Sequence, residues 1–167
     1  MDSSVTSSRA LFATAGLLAA IVFSATAVAC DDDNDITLPG PPTFVATMNG
    51  ANEVPAKAVA GSGSFNVVKN GATYTYTITF SGMTGPLTAA HIHGPAAVGV
   101  NANPIVPFDV TGAAASGTLT GTFTGTNNVN ITPDSLDKLM TSGNAYVNLH
   151  TTANAGGEIR GQLSKQP

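Results

Sequence analysis

The chain has 167 residues, of which only 10% are charged, and a formal net charge of −4. That length suits one domain plus an extension. With Lys57, Lys69, Lys138, Arg160 and Lys165 as its only basic residues after the first forty, it has no positive footprint for nucleic acid.

The chain opens on a single early cation, Arg9, followed by small and apolar residues over 10–29. A charged start, an apolar middle and small residues at the end predict a secretory signal over 1–29. Ala27-Val28-Ala29-Cys30 resembles a bacterial lipobox, in which the cysteine is lipidated and becomes the mature N-terminus. Cys30 is the only cysteine and cannot close an internal disulfide, so lipid attachment gives a lone exported thiol a role. Two other outcomes stay open: cleavage after Ala27 or Ala29 with soluble export, and retention of the apolar run as a span of about 20 residues. The expected location is extracytoplasmic: lipid-anchored to the cell envelope, in the periplasm or on the cell surface, or secreted. Membrane contact is expected through the N-terminal lipid alone.

Residues 30–42 read as a linker. Asp31, Asp32, Asp33 and Asp35 account for the net charge, because the remaining charges cancel, and Pro39-Gly40-Pro41-Pro42 follows. Such a stretch stays extended and solvated.

From residue 43 the pattern is one short strand after another. The first covers 43–48 and closes at Asn49-Gly50. The second covers 64–68 and runs through Asn70-Gly71, a hairpin signal, into a third over 72–81. There Tyr74, Tyr76, Ile78 and Phe80 share one face, and Thr73, Thr75, Thr77 and Thr79 the other. That alternation is the mark of a half-buried antiparallel strand. Further strands are predicted over 87–93, 105–110 and 116–124. Thr132 followed by Pro133 predicts the start of one short helix, about 133–141, that ends at Gly143. Strands over 145–150 and 158–163 close the chain. About eight strands, with turn signals every 8–12 residues, predict an all-β domain over 43–167, an antiparallel Greek-key β-sandwich. A membrane barrel needs aromatic girdles, and this chain has no Trp.

All three histidines fall in two of these strands. His91 and His93 flank Ile92 and project from one face; His150 ends a later strand. If the two strands are neighbours, three imidazoles meet. Imidazole is the commonest metal ligand, and three with an open position suit copper first and zinc second. Tyr146 and Asn148 share the face of His150 and are candidates for bracing hydrogen bonds, as are Glu158 and Arg160. The alternative is that the histidines are structural and bond backbone groups near turns. Glu53 and Glu158, with Arg160, are also candidates for a buried ion pair. No Gly-x-Ser-x-Gly elbow, phosphate loop or zinc-finger spacing occurs, so no catalytic residue is assigned.

The motifs Met48-Asn49-Gly50-Ala51-Asn52-Glu53-Val54-Pro55, Ala90-His91-Ile92-His93-Gly94-Pro95-Ala96, Tyr146-Val147-Asn148-Leu149-His150-Thr151 and Asn154-Ala155-Gly156-Gly157-Glu158-Ile159-Arg160-Gly161-Gln162-Leu163 occur in that order. Together they resemble the CHRD domain, found repeated in the animal protein chordin and singly in exported bacterial proteins. The resemblance implies a β-sandwich but no particular activity. A looser similarity links the His-x-His pair and the late histidine to the copper ligands of copper-zinc superoxide dismutase. It implies a copper-like site at His91, His93 and His150. Its implication of dismutase turnover is weaker, because the bridging histidine, the zinc-ligand loop and the disulfide have no counterpart here. Two functional readings therefore stand: an exported domain binding one transition metal with a redox or metal-handling role, and a non-enzymatic interaction or structural module.

Overall fold

The computed structural model describes residues 40–124 and 131–167. The expected signal, Cys30 and all but the last three residues of the linker lie outside the described residues. Nine strands follow in chain order: β1 (Thr43–Asn49), β2 (Ser62–Asn70), β3 (Thr73–Ser81), β4 (Leu87–His93), β5 (Pro104–Pro107), β6 (Gly117–Thr124), β7 (Tyr146–Thr151), β8 (Ile159–Gln162) and β9 (Ser164–Lys165). Among the described residues, one α-helix, α1 (Pro133–Thr141), comes between β6 and β7, and one 3-10 turn covers Gly50–Asn52.

All pairings between these strands are antiparallel, in the spatial order β5-β4-β7-β8-β1-β2-β3-β6, with β9 also on β1. The sheet is continuous and curls until its limbs face each other across one core, which is the sandwich architecture expected of an all-β chain. Closure is visible in the aromatic contacts. Phe108, just past β5, packs against Phe65 of β2 at 5.6 Å and Tyr76 of β3 at 4.5 Å between ring centroids. Hydrophobic burial across this core is the main force holding the domain together.

The local reasons are those of period-two patterning. On β3, Tyr74, Tyr76, Ile78 and Phe80 are all buried, and Thr75, Thr77 and Thr79 face solvent. The β2–β3 hairpin turns through Gly71 at φ 59, a left-handed conformation that favours glycine. On β6, Gly121 lies opposite Tyr76, and a Cβ there would stand 2.7 Å from the tyrosine oxygen. The tyrosine ring occupies the space that a side chain on β6 would need.

Three elements depart from expectation, the closing strand among them: in place of one strand over 158–163 the chain forms β8 and β9. The strand predicted over 105–110 ends at Pro107, because the Asp109 carboxylate accepts hydrogen bonds from both N–H and hydroxyl of Thr111 and turns the chain. The second strand begins at Ser62 rather than residue 64, since β1 and β3 supply partners at Asn49 and Ser81.

Helix α1 is capped by the Thr132 hydroxyl, which accepts from the Ser135 N–H, and buries Leu136 and Met140. Asp137 ties it to the sheet through an ion pair with Lys69 and a hydrogen bond from the Tyr74 hydroxyl. Thr132→Ala is expected to lower stability by about 1 kcal/mol, the usual cost of a lost cap, in urea unfolding. An unchanged midpoint would show that the tie to the sheet alone holds the helix.

Candidate metal centre

Register places the candidate side chains. His91 pairs with Asn148, which pairs with Arg160; His93 pairs with Tyr146, which pairs with Gln162; Ala89 pairs with His150. Paired residues share a face, so these polar groups form one block on the outer side of β4, β7 and β8. The intervening Ile92, Val147, Leu149 and Ile159 point into the core. All six residues of β7 are nevertheless buried. Flanking loops cover the outer face and make a second, polar interior.

Within it the three imidazoles come together. One nitrogen from each of His91, His93 and His150 lies within 4.8 Å of the other two. Nδ1 of His91 stands 3.4 Å from Nε2 of His150. His93 and His150 are buried and His91 is half-buried, so the cluster opens to solvent on the His91 side.

Two backbone carbonyls fix the ring orientations. Nδ1 of His93 lies 2.9 Å from the Ala102 oxygen, and Nδ1 of His150 lies 3.0 Å from the Ala155 oxygen. A carbonyl only accepts, so each Nδ1 carries the proton and each Nε2 keeps its lone pair. His91 must then donate from Nδ1 to Nε2 of His150. Nε2 of His93 is buried with no hydrogen-bond partner at all.

Electrostatics favour the neutral rings. Burial pulls His93 down to about 4, with His91, His150 and Arg160 adding repulsion and the Ala102 bond opposing. Burial also lowers His91, aided by His150, and lowers His150 against its bond to Ala155.

Each orienting carbonyl sits on a loop pinned by a buried charge. The Arg160 guanidinium donates to the Val100 carbonyl at 2.7 Å and to Asn101 at 3.1 Å, holding the segment that presents Ala102. It also lies 3.4 Å from the centre of the Tyr146 ring, which stacks on His93 at 4.7 Å. The Tyr146 hydroxyl meets both the N–H and the carbonyl of Ala102. Glu158, fully buried, accepts from Thr84, Thr151 and Asn154 and so holds the turn that presents Ala155. Burial pushes its carboxyl up, but the bonds from Thr151, Thr84 and Asn154 outweigh that and keep it below the usual range.

The expected ion pair of Glu158 with Arg160 does not form, because β8 starts at Ile159 and Glu158 belongs to the preceding turn. Arg160 instead faces Glu53, whose carboxyl is raised to about 7 by burial despite the pull of Arg160 and Lys57. Asn148 bonds no histidine here; it lies beside Glu53, and its Oδ1 is buried without a partner. Sequence reading missed the carbonyls of Ala102 and Ala155, which leave no side-chain signature.

A curled antiparallel sheet with three converging imidazoles on its outer face defines an all-β domain with a candidate transition-metal centre. More specifically, the chain belongs to the CHRD domain family, whose model matches residues 44–163. No curated protein matches it.

Proposed function

We propose that this CHRD domain is exported, anchored by lipid at Cys30, and binds a single transition metal, copper ahead of zinc, through Nδ1 of His91 and Nε2 of His93 and His150. The observation that carries the reading is Nε2 of His93, a buried atom with nothing to bond, in a ring that brings a nitrogen within 4.8 Å of one on each of the other two histidines. Leaving a buried acceptor unsatisfied costs about 1–3 kcal/mol, a cost that a bound cation removes.

The geometry suits the group. Three nitrogens at about 2.1 Å from one ion stand about 3.4–3.6 Å apart in tetrahedral or trigonal geometry, so the widest pair, within 4.8 Å, closes by at most about 1.4 Å on binding. His91 would shift its proton from Nδ1 to Nε2, on the open side, with no net release. Copper ranks highest among divalent metals for imidazole sites, and when bound it would supply an electron-transfer centre at the solvent-facing position.

Titration of the purified full-length chain with copper should saturate at one ion, with nitrogen couplings from imidazoles in the electron paramagnetic resonance spectrum. The apolar core runs through all the main strands, so the apo protein should remain folded. Copper at about 100 times its dissociation constant should then add about 2.7 kcal/mol to unfolding stability. Binding that is multiple and weak, or a spectrum without imidazole nitrogen, would sink the proposal.

A further inference from the structure

The two edges of the sheet are treated differently. The β5 edge is four residues long and carries Pro107 with its nitrogen on the outward side, since Phe108 donates to Ala90 on the β4 side, so it denies a neighbouring strand one of its few N–H donors. The β6 edge is eight residues, Gly-Thr-Leu-Thr-Gly-Thr-Phe-Thr, with no proline and no charge. Its inner neighbour β3 is also uncharged. Among the described residues, nothing pairs with the outer side of β6 from Gly117 to Phe123. Sheets ordinarily guard such an edge with lysine, proline or a bulge.

The sequence of this strand reads nearly the same in both directions about Gly121. Thr120 and Thr122 flank the glycine, Leu119 and Phe123 come next, and Thr118 and Thr124 lie beyond. A two-fold axis through Gly121 therefore sets threonine against threonine on the outer face and Leu119 against Phe123 on the core face. The molecule already uses this chemistry on its inner side, where Thr118, Thr120, Thr122 and Thr124 pair with Thr79, Thr77, Thr75 and Thr73. The Thr79 and Thr118 hydroxyls there stand 3.4 Å apart. Cross-strand threonine pairs are favourable, and the absence of charge removes any like-charge penalty. Gly121 puts no side chain of its own at the axis, where the Tyr76 ring lies over it on the core face.

We infer that β6 is a self-association edge: a second copy of this chain adds its own β6 antiparallel across Gly121 and continues the sheet. A single strand pair buries less surface than the roughly 1,000 Å² that a stable interface needs, so the dimer should be reversible and concentration-dependent.

Sedimentation equilibrium of the full-length chain in mild detergent should show a monomer–dimer equilibrium. Thr120→Lys together with Thr122→Lys should reduce it to monomer, because the register sets the two introduced lysines, 120 of one copy and 122 of the other, directly opposite one another. Retained copper stoichiometry and circular dichroism would show that the variant is folded. A second variant tests register without relying on weakened association. With Cys30→Ser present, Thr120→Cys together with Thr122→Cys should cross-link to a dimer under mild oxidation, whereas Thr75→Cys with Thr77→Cys on the neighbouring strand should not. A wild-type chain monomeric throughout, a Thr120→Lys, Thr122→Lys chain that still dimerises, or equal cross-linking of both cysteine pairs would overturn the inference.

Discussion

His93→Ala should abolish stoichiometric copper binding while leaving the β-sheet spectrum intact. Removing even an outer partner of a ligand costs about 10–100-fold in affinity, and the loss of one of three imidazoles should exceed that. The same variant has a signature in the apo protein. The folded-state value of His93 is about 4 against an ordinary 6.5, because burial penalises its charged form. As pH falls through that window the unfolded chain takes up the proton first, so acidification removes up to about 3 kcal/mol of stability through this residue. Glu53 acts in the opposite sense. Its carboxyl is raised to about 7, so between that value and 4.5 the folded state binds the proton first, and acidification adds stability. The two effects offset in the wild type. In His93→Ala only the Glu53 effect remains of the pair, and the variant should gain stability relative to wild type as pH drops from 7 toward 4.5. Urea unfolding at a series of pH values checks this; parallel curves for the two proteins would refute the burial of a neutral His93.

Glu158→Ala should be the most damaging single change outside the core. The carboxylate accepts from the Thr84 N–H and hydroxyl, the Thr151 hydroxyl and the Asn154 amide in a fully buried setting. Truncation leaves the Thr84 N–H without an acceptor and the Thr84, Thr151 and Asn154 side chains with only one another, at a cost of about 3 kcal/mol. Glu158→Gln should recover only part of this, since an amide oxygen replaces one of the two carboxylate oxygens. Because the turn from Thr151 to Glu158 also presents the Ala155 carbonyl, copper affinity should fall with stability in both variants. The wild-type contribution is present above the unfolded value of about 4.5 and is lost as pH falls below it, since Glu158 is held lower in the folded state. A Glu158→Ala protein unfolding at the wild-type urea midpoint would show that the turn does not depend on this anchor.

The strand framework was legible because it is written in side-chain alternation and turn chemistry. Tyr74 through Phe80 announce their buried face, Asn70-Gly71 the hairpin, and Thr132-Pro133 the helix start. Convergence of the histidines was legible only as a conditional. Period two puts His91 and His93 on one face, but nothing local says that β7 lies beside β4. Less visible was the cover over that face. A strand such as β7 looks from its sequence like one with a polar, solvated side, because Tyr146, Asn148 and His150 alternate with Val147 and Leu149. Burial of both sides depends on loops whose contributions are main-chain atoms at Ala102 and Ala155. Arg160 and Glu158, two residues apart, suggested a mutual pair, and the start of β8 between them sends each to a different loop.

The double burial of β7 implies uneven tolerance to substitution. On β3, a saturation scan should alternate residue by residue between permissive threonines and intolerant aromatic positions. On β7 the same scan should show no rhythm, because hydrocarbon contacts restrict one set of positions and hydrogen bonds and imidazoles the other. Random mutagenesis should thus single out six consecutive residues, Tyr146 to Thr151, as the least replaceable stretch of the domain.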